Sequence, residues 1–152
     1  MSREHKYKAW NKEEKVMCKI QSINFDTNLI VVRFPEFNSE DFGNDYSDSM
    51  ELDEFELLEY TGLKDRIVRK DGSESKKIYR CDIIKALNRN YDCEENKEKY
   101  FEFFEVTYLN GCYMFGNWNA HEFFNRFMYI EDLGSKFENP NLLKEDKLYE
   151  RN

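Results

Sequence analysis

The sequence predicts a mainly β domain, on three observations. Aromatic residues make up 16% of the chain, with 13 Phe and 10 Tyr, side chains that suit a pleated, half-buried surface. Short apolar runs with period-two alternation recur at a spacing of roughly ten residues in the N-terminal half, the pattern of an antiparallel meander. One Asn-Gly pair, Asn110-Gly111, stands between two apolar-aromatic runs, which is the signature of a type I′ hairpin. The architecture implied is a small SH3-like barrel or sandwich with one or two short helices, with an α+β arrangement as the alternative. At 152 residues the chain suits one domain. We read 1–152 as that domain, with a flexible loop at 36–50 and a frayed tail at 144–152.

Taken in order, residues 5–10 alternate well enough for a strand, and 11–15 supply a polar turn. In 16–25 (VMCKIQSINF) Val16, Cys18 and Ile20 fall on one side at period two. A turn at 26–28 precedes 29–34 (LIVVRF), the strongest strand of the N-terminal half. Pro35 ends that meander, and the polar 36–48 reads as loop. Residues 50–60 (MELDEFELLEY) fit a short helix or a strand equally well. Thr61-Gly62 reads as a turn, 78–87 as one strand, and 88–99 as a mobile loop or hairpin tip. Beyond the hairpin of 100–109 and 112–118, Asn119 is placed to cap a short helix, AHEFFNRF, with Phe123, Phe124 and Phe127 on one face. Residues 128–133 return as a strand, and 141–149 suit a terminal helix.

Composition narrows the class. Charged residues reach 36% but are interspersed with apolar positions, as in a folded chain. The N-terminus lacks an apolar run and no segment approaches the ~18 apolar residues of a membrane span, so we expect a soluble protein of the cytoplasm with no membrane partner. Cys18, Cys81, Cys93 and Cys112 are scattered without a CxxC pair, so free thiols are expected and no metal site.

The order of motifs resembles the YopX family of phage and prophage proteins. His5-Lys6-Tyr7-Lys8-Ala9-Trp10-Asn11-Lys12 followed by Lys15-Val16-Met17 is similar to the family's opening. Glu59-Tyr60-Thr61-Gly62-Leu63-Lys64-Asp65 resembles its most specific motif, and Lys77-Ile78-Tyr79-Arg80-Cys81-Asp82-Ile83-Ile84 its Ile-Tyr-Glu-Gly-Asp-Ile pattern. Phe137-Glu138-Asn139-Pro140-Asn141-Leu142-Leu143 resembles its close. Two departures stand out: a longer basic link at 66–76, and Arg80-Cys81 in place of Glu-Gly. The resemblance implies a mobile-element origin in a host cell and a mostly β fold. It supplies no catalytic residue.

Nothing in the residues adds one. The two histidines, His5 and His121, have no ligand spacing, and Cys112 nine positions before His121 does not make a nucleophilic pair by sequence. No phosphate-binding, dinucleotide-binding or zinc-protease motif occurs. We therefore expect no enzyme, no catalytic residue, no cofactor and no metal.

Charge patterning is more informative. Residues 36–59 hold ten acidic side chains and no Lys or Arg, whereas 60–80 hold seven basic against three acidic ones. Exposed opposite charges of this kind contribute only ~0–1 kcal/mol per pair, so mutual neutralisation is the plain reading. The sharper one is an interaction surface. Its acidic half would be Asp45, Asp48, Glu51, Asp53, Glu54 and Glu56, facing a host or phage protein. Its basic half, Lys64, Arg66, Arg69, Lys70, Lys76 and Lys77, is the alternative, contacting nucleic acid. The net charge of −8 opposes nucleic acid at long range. The FEFFEV segment, apolar on both faces, is expected in the core, with self-association into a homo-oligomer as the next reading.

Overall fold

The computed structural model describes residues 7–35, 46–67, 69, 72 and 74–143. The chain divides into two compact units, Met1–Tyr60 and Thr61–Asn152.

In the first unit the strands are β1 (Tyr7–Asn11), β2 (Val16–Asn24), β3 (Leu29–Phe34), β4 (Tyr46–Glu51) and β5 (Phe55–Lys64), the last running on across the boundary. They pair antiparallel in the order β4-β3-β2-β1-β5. The period-two reading of β2 holds: Cys18 is buried, and Val16 and Ile20 pack on the same cluster of Ala9, Ile30, Val32, Phe34 and Phe55. In the β1–β2 turn, Asn11 Oδ1 accepts from the Glu13 and Glu14 amides at 3.1 and 2.7 Å. The ambiguous 50–60 run resolves as strand, with a short 3-10 turn (Leu52–Glu54) between β4 and β5. Of the expected 36–50 loop, 36–45 lie outside the described residues, while Tyr46 begins β4, paired with Phe34. Loop-like polar composition misled there because β4 is the outermost strand in this order and has one β neighbour.

The second unit opens with residues 61–64 of β5. Thr61 and Gly62 lie inside that strand and not in a turn: Gly62 has φ +88, and the Thr61 hydroxyl donates to Ile78 O at 2.7 Å. The 78–87 run is two strands and not one: β6 (Lys77–Tyr79), hydrogen-bonded beside β5, turns at Arg80-Cys81 into β7 (Asp82–Asn88), which belongs to the other sheet. Residues 88–99 contain two 3-10 turns, Arg89–Tyr91 and Lys97–Tyr100, closed by a Tyr91–Tyr100 stack with centroids 4.4 Å apart. Then come β8 (Phe101–Leu109), β9 (Cys112–Phe115), β10 (Trp118–Asn119), α1 (Ala120–Arg126) and β11 (Phe127–Ser135). The antiparallel order is β10-β9-β8-β7-β11.

The Asn110-Gly111 turn is as expected, with φ of +51 and +85, both central residues positive as type I′ requires. Asn119 Oδ1 caps α1 by accepting from the Glu122 amide at 2.8 Å. Phe123, Phe124 and Phe127 are buried together with Phe115, Val106, Ile84 and Ile130. Phe123 stacks on Phe115 and Phe127, each at 4.7 Å, and Phe104 meets Phe123 edge-on at 5.1 Å. Truncating Phe123 would therefore cost about 3–5 kcal/mol.

The fold is mainly β, as the composition and alternation implied. Among the described residues no sheet closes on itself; there are two open antiparallel sheets, so the closed-barrel alternative does not hold. The terminal helix expected at 141–149 lies mostly beyond Leu143, outside the described residues.

Candidate functional site

Asp65 organises the surroundings of the basic segment. It ends the Gly62-Leu63-Lys64-Asp65 run, is only 2% exposed, and its carboxylate accepts four hydrogen bonds from three residues. Arg69 grips it with both guanidinium nitrogens, Nη1 on Oδ1 at 3.2 Å and Nη2 on Oδ2. The Lys76 amide donates to Oδ1 at 2.9 Å and the Asp132 amide to Oδ2 at 3.0 Å. The Asp65 amide in turn donates to Lys76 O at 2.9 Å. Burial alone would push this carboxyl up; the bonds from Arg69, Asp132 and Lys76, with the Arg69 charge, outweigh it and hold the group below the usual carboxylate range.

This changes the standing of the basic residues. Arg69 serves the Asp65 hub and is not presented to solvent as a free cation. Arg66 bonds through its amide to Ile130 O at 2.8 Å, and its guanidinium lies 4.5 Å from the Phe124 ring centroid. Lys64 and Lys76 are exposed, Lys77 is half-buried, and Lys70 lies outside the described residues. Of the acidic set, Asp45 is outside the described residues and Asp48 falls in β4. Glu51 and Asp53 are exposed, Glu54 accepts from the Glu51 amide at 3.2 Å, and Glu56 sits opposite Trp10 in the β1–β5 pairing. The acidic residues belong to the first unit and the basic ones to the second.

The structure adds a surface that the sequence reading missed. A groove of about 480 Å³ runs beside β11, lined by Arg66, Ile67, Arg89, Phe127, Met128, Tyr129 and Ile130. Arg89 donates from Nε to Asn125 O at 2.9 Å. Among the described residues neither Arg66 nor Arg89 forms a salt bridge, though the Arg89 charge helps to lower the Asp92 carboxyl. A second groove, about 310 Å³, shares Ile67 and Tyr129 and adds Lys85, Lys97, Glu98, Phe101 and Glu131. There the cations are already paired: Lys85 with Glu98 at 3.7 Å and Lys97 with Asp92 at 3.2 Å.

Tyr129 separates the two grooves and is held in place unusually. Its φ is +52, a region that bulky side chains rarely adopt and that costs of order 1–3 kcal/mol. The cause is an extra residue in β11, where Met128 faces Leu87 and Glu131 faces Lys85, a β-bulge of the kind that re-aims a side chain. The ring is 40% exposed, lies 6.2 Å from that of Phe101, and its hydroxyl donates to Asp92 at 3.1 Å. A hydrogen bond from Lys97 and this one from Tyr129 hold the Asp92 carboxyl below its ordinary range.

Among the described residues Cys112 and His121 have different partners. Cys112 contacts Met114 Sδ at 3.6 Å, whereas His121 Nε2 lies 3.3 Å from Asn125. Burial pushes the Cys18 thiol up to about 11, which keeps it protonated and inert at neutral pH. Among the described residues no three His, Cys, Asp or Glu side chains converge as metal ligands, and no helix is long and apolar enough to cross a membrane.

The sequence pattern of the YopX protein family matches residues 6–144. The chain belongs to the YopX family. Searches of curated proteins and of solved structures returned no match. The matched span includes Asp65 and Cys81, the latter standing in the resemblance described above in place of a glycine. Cys81 has φ +73, so this YopX chain makes a glycine-type bend with a cysteine.

Proposed function

We propose that this YopX protein is a non-enzymatic binding module, encoded by a phage or prophage and acting in the host cytoplasm on a segment of a host or phage protein. The observation that carries the reading is the first β11 groove. Its apolar lining of Ile67, Phe127, Met128 and Ile130 is flanked by Arg66 and Arg89, in the size range of sites that take up small molecules or side chains. The nucleic-acid alternative is weakened by Arg69, whose guanidinium is occupied by Asp65, and by the net charge of −8.

Selection of a displayed random-peptide library against the whole protein tests this. Enriched peptides should lose binding to the Ile67→Glu variant, which places a charge in the groove at a half-buried position. Enrichment of peptides indifferent to Ile67→Glu would overturn the assignment, as would an enriched pool that binds only through the first unit.

A further inference from the structure

We infer that the first groove selects an extended, acidic-apolar peptide, added alongside the outer edge of β11 with its carboxylates on Arg66 and Arg89. This rests on the protein-binding reading and specifies its ligand.

Two observations carry it. The first is charge. The lining of the larger groove includes two arginines and no carboxylate; no salt bridge is formed by either among the described residues, although the Arg89 charge contributes to lowering the Asp92 carboxyl. Its neighbour carries Lys85 and Lys97, but also Glu98 and Glu131, with Asp92 on Lys97. Selectivity for an anion therefore belongs to the larger groove. Guanidinium groups suit it, because they offer planar, two-pronged donation to carboxylates. Arg66 lies over the Phe124 ring and Arg89 is anchored through Nε, so both are held before a ligand arrives, which lowers the entropy cost of binding.

The second observation is the edge. β11 is the outermost strand of its sheet, and an unpaired edge is a template for another extended chain. The edge already accepts one strand-like residue, since Arg66 bridges Ile130 antiparallel. The groove continues along Phe127, Met128 and Tyr129, where a second chain would extend that line. Alternating side chains of such a chain point to opposite faces, so apolar residues can meet Ile67 and Met128 while the intervening carboxylates reach the arginines. Tyr129, fixed in its bulge, bounds the site.

The test uses fluorescence anisotropy with the full chain and end-capped, labelled peptides of alternating Glu and Leu, with Gln-Leu and Lys-Leu controls. The Glu-Leu peptide should bind at least about tenfold more tightly than either control, the equivalent of ~1.4 kcal/mol. Arg66→Gln combined with Arg89→Gln should remove that preference, whereas Lys85→Gln should leave it intact. Urea unfolding of each variant checks the fold, and Ile67→Glu, which leaves both arginines in place, serves if the double variant does not fold. Equal binding of the three peptides, or a preference that survives loss of both arginines, would overturn the acidic specificity. If neutral peptides bind and Ile67→Glu still abolishes them, the groove stands and only its charge preference falls. If no peptide binding depends on Ile67, both readings fall. Concentration-dependent self-association lost in Ile67→Glu would instead make a second copy the occupant and contradict the inference.

Discussion

A single buried carboxylate does more for this chain than any of its exposed charges. Asp65 joins the start of the basic link, its end at Lys76 and the β11 backbone at Asp132. Removing one side of a buried, hydrogen-bonded pair costs about 3–5 kcal/mol, so Asp65→Ala should destabilise the second unit by about that much in urea unfolding. The pH dependence follows from the lowered folded-state value. A depressed carboxylate contributes stability fully above its unfolded value, ~3.9, and loses it as pH falls through the folded one. The gap between the native protein and Asp65→Asn should therefore be constant near neutral pH and narrow below about pH 4. A gap unchanged down to about pH 2 would show that the charge of Asp65 does not stabilise the fold. The sequence marked Asp65 as part of a motif but gave no sign of its role, because its partners Arg69, Lys76 and Asp132 are acidic or basic residues that read equally well as surface.

At the scale of elements, local signals carried the fold where they were self-contained. Asn110-Gly111 and the Asn119 cap each act within a few residues, and both formed as read. The break between β6 and β7 was missed because its turn, Arg80-Cys81, has no Gly, Asn or Pro. Its geometry is imposed from outside: the Cys81 amide donates to Val106 O and the Lys136 amide to Cys81 O, both at 2.8 Å. Left-handed backbone costs an ordinary residue ~1–2 kcal/mol and a β-branched one more. Cys81→Gly should thus hold stability within about 1 kcal/mol, the relieved backbone offsetting the lost buried thiol. Cys81→Val should cost more than about 2 kcal/mol by the same measurement of urea midpoints; equal effects of the two would contradict this account of the turn. The β11 bulge was invisible for a related reason, since an extra residue leaves no mark in the alternation of MYIEDL.

At the scale of the whole molecule, the shift from acidic to basic sequence near Tyr60 coincides with the division into two units. That division was not legible, because β5 runs through it without a linker. Nor was the groove, whose Arg66, Arg89 and Tyr129 come from three separate stretches of chain. The sequence drew attention to a run of charges; the structure turns it to two groove arginines that form no salt bridge among the described residues. The most direct test is a titration of the isotope-labelled full chain with the Glu-Leu peptide, following backbone amide shifts by NMR. The largest changes should fall at Arg66, Ile67, Arg89, Met128 and Tyr129. Largest changes at Glu51, Asp53, Glu54 and Glu56 in the first unit, with the groove silent, would contradict it.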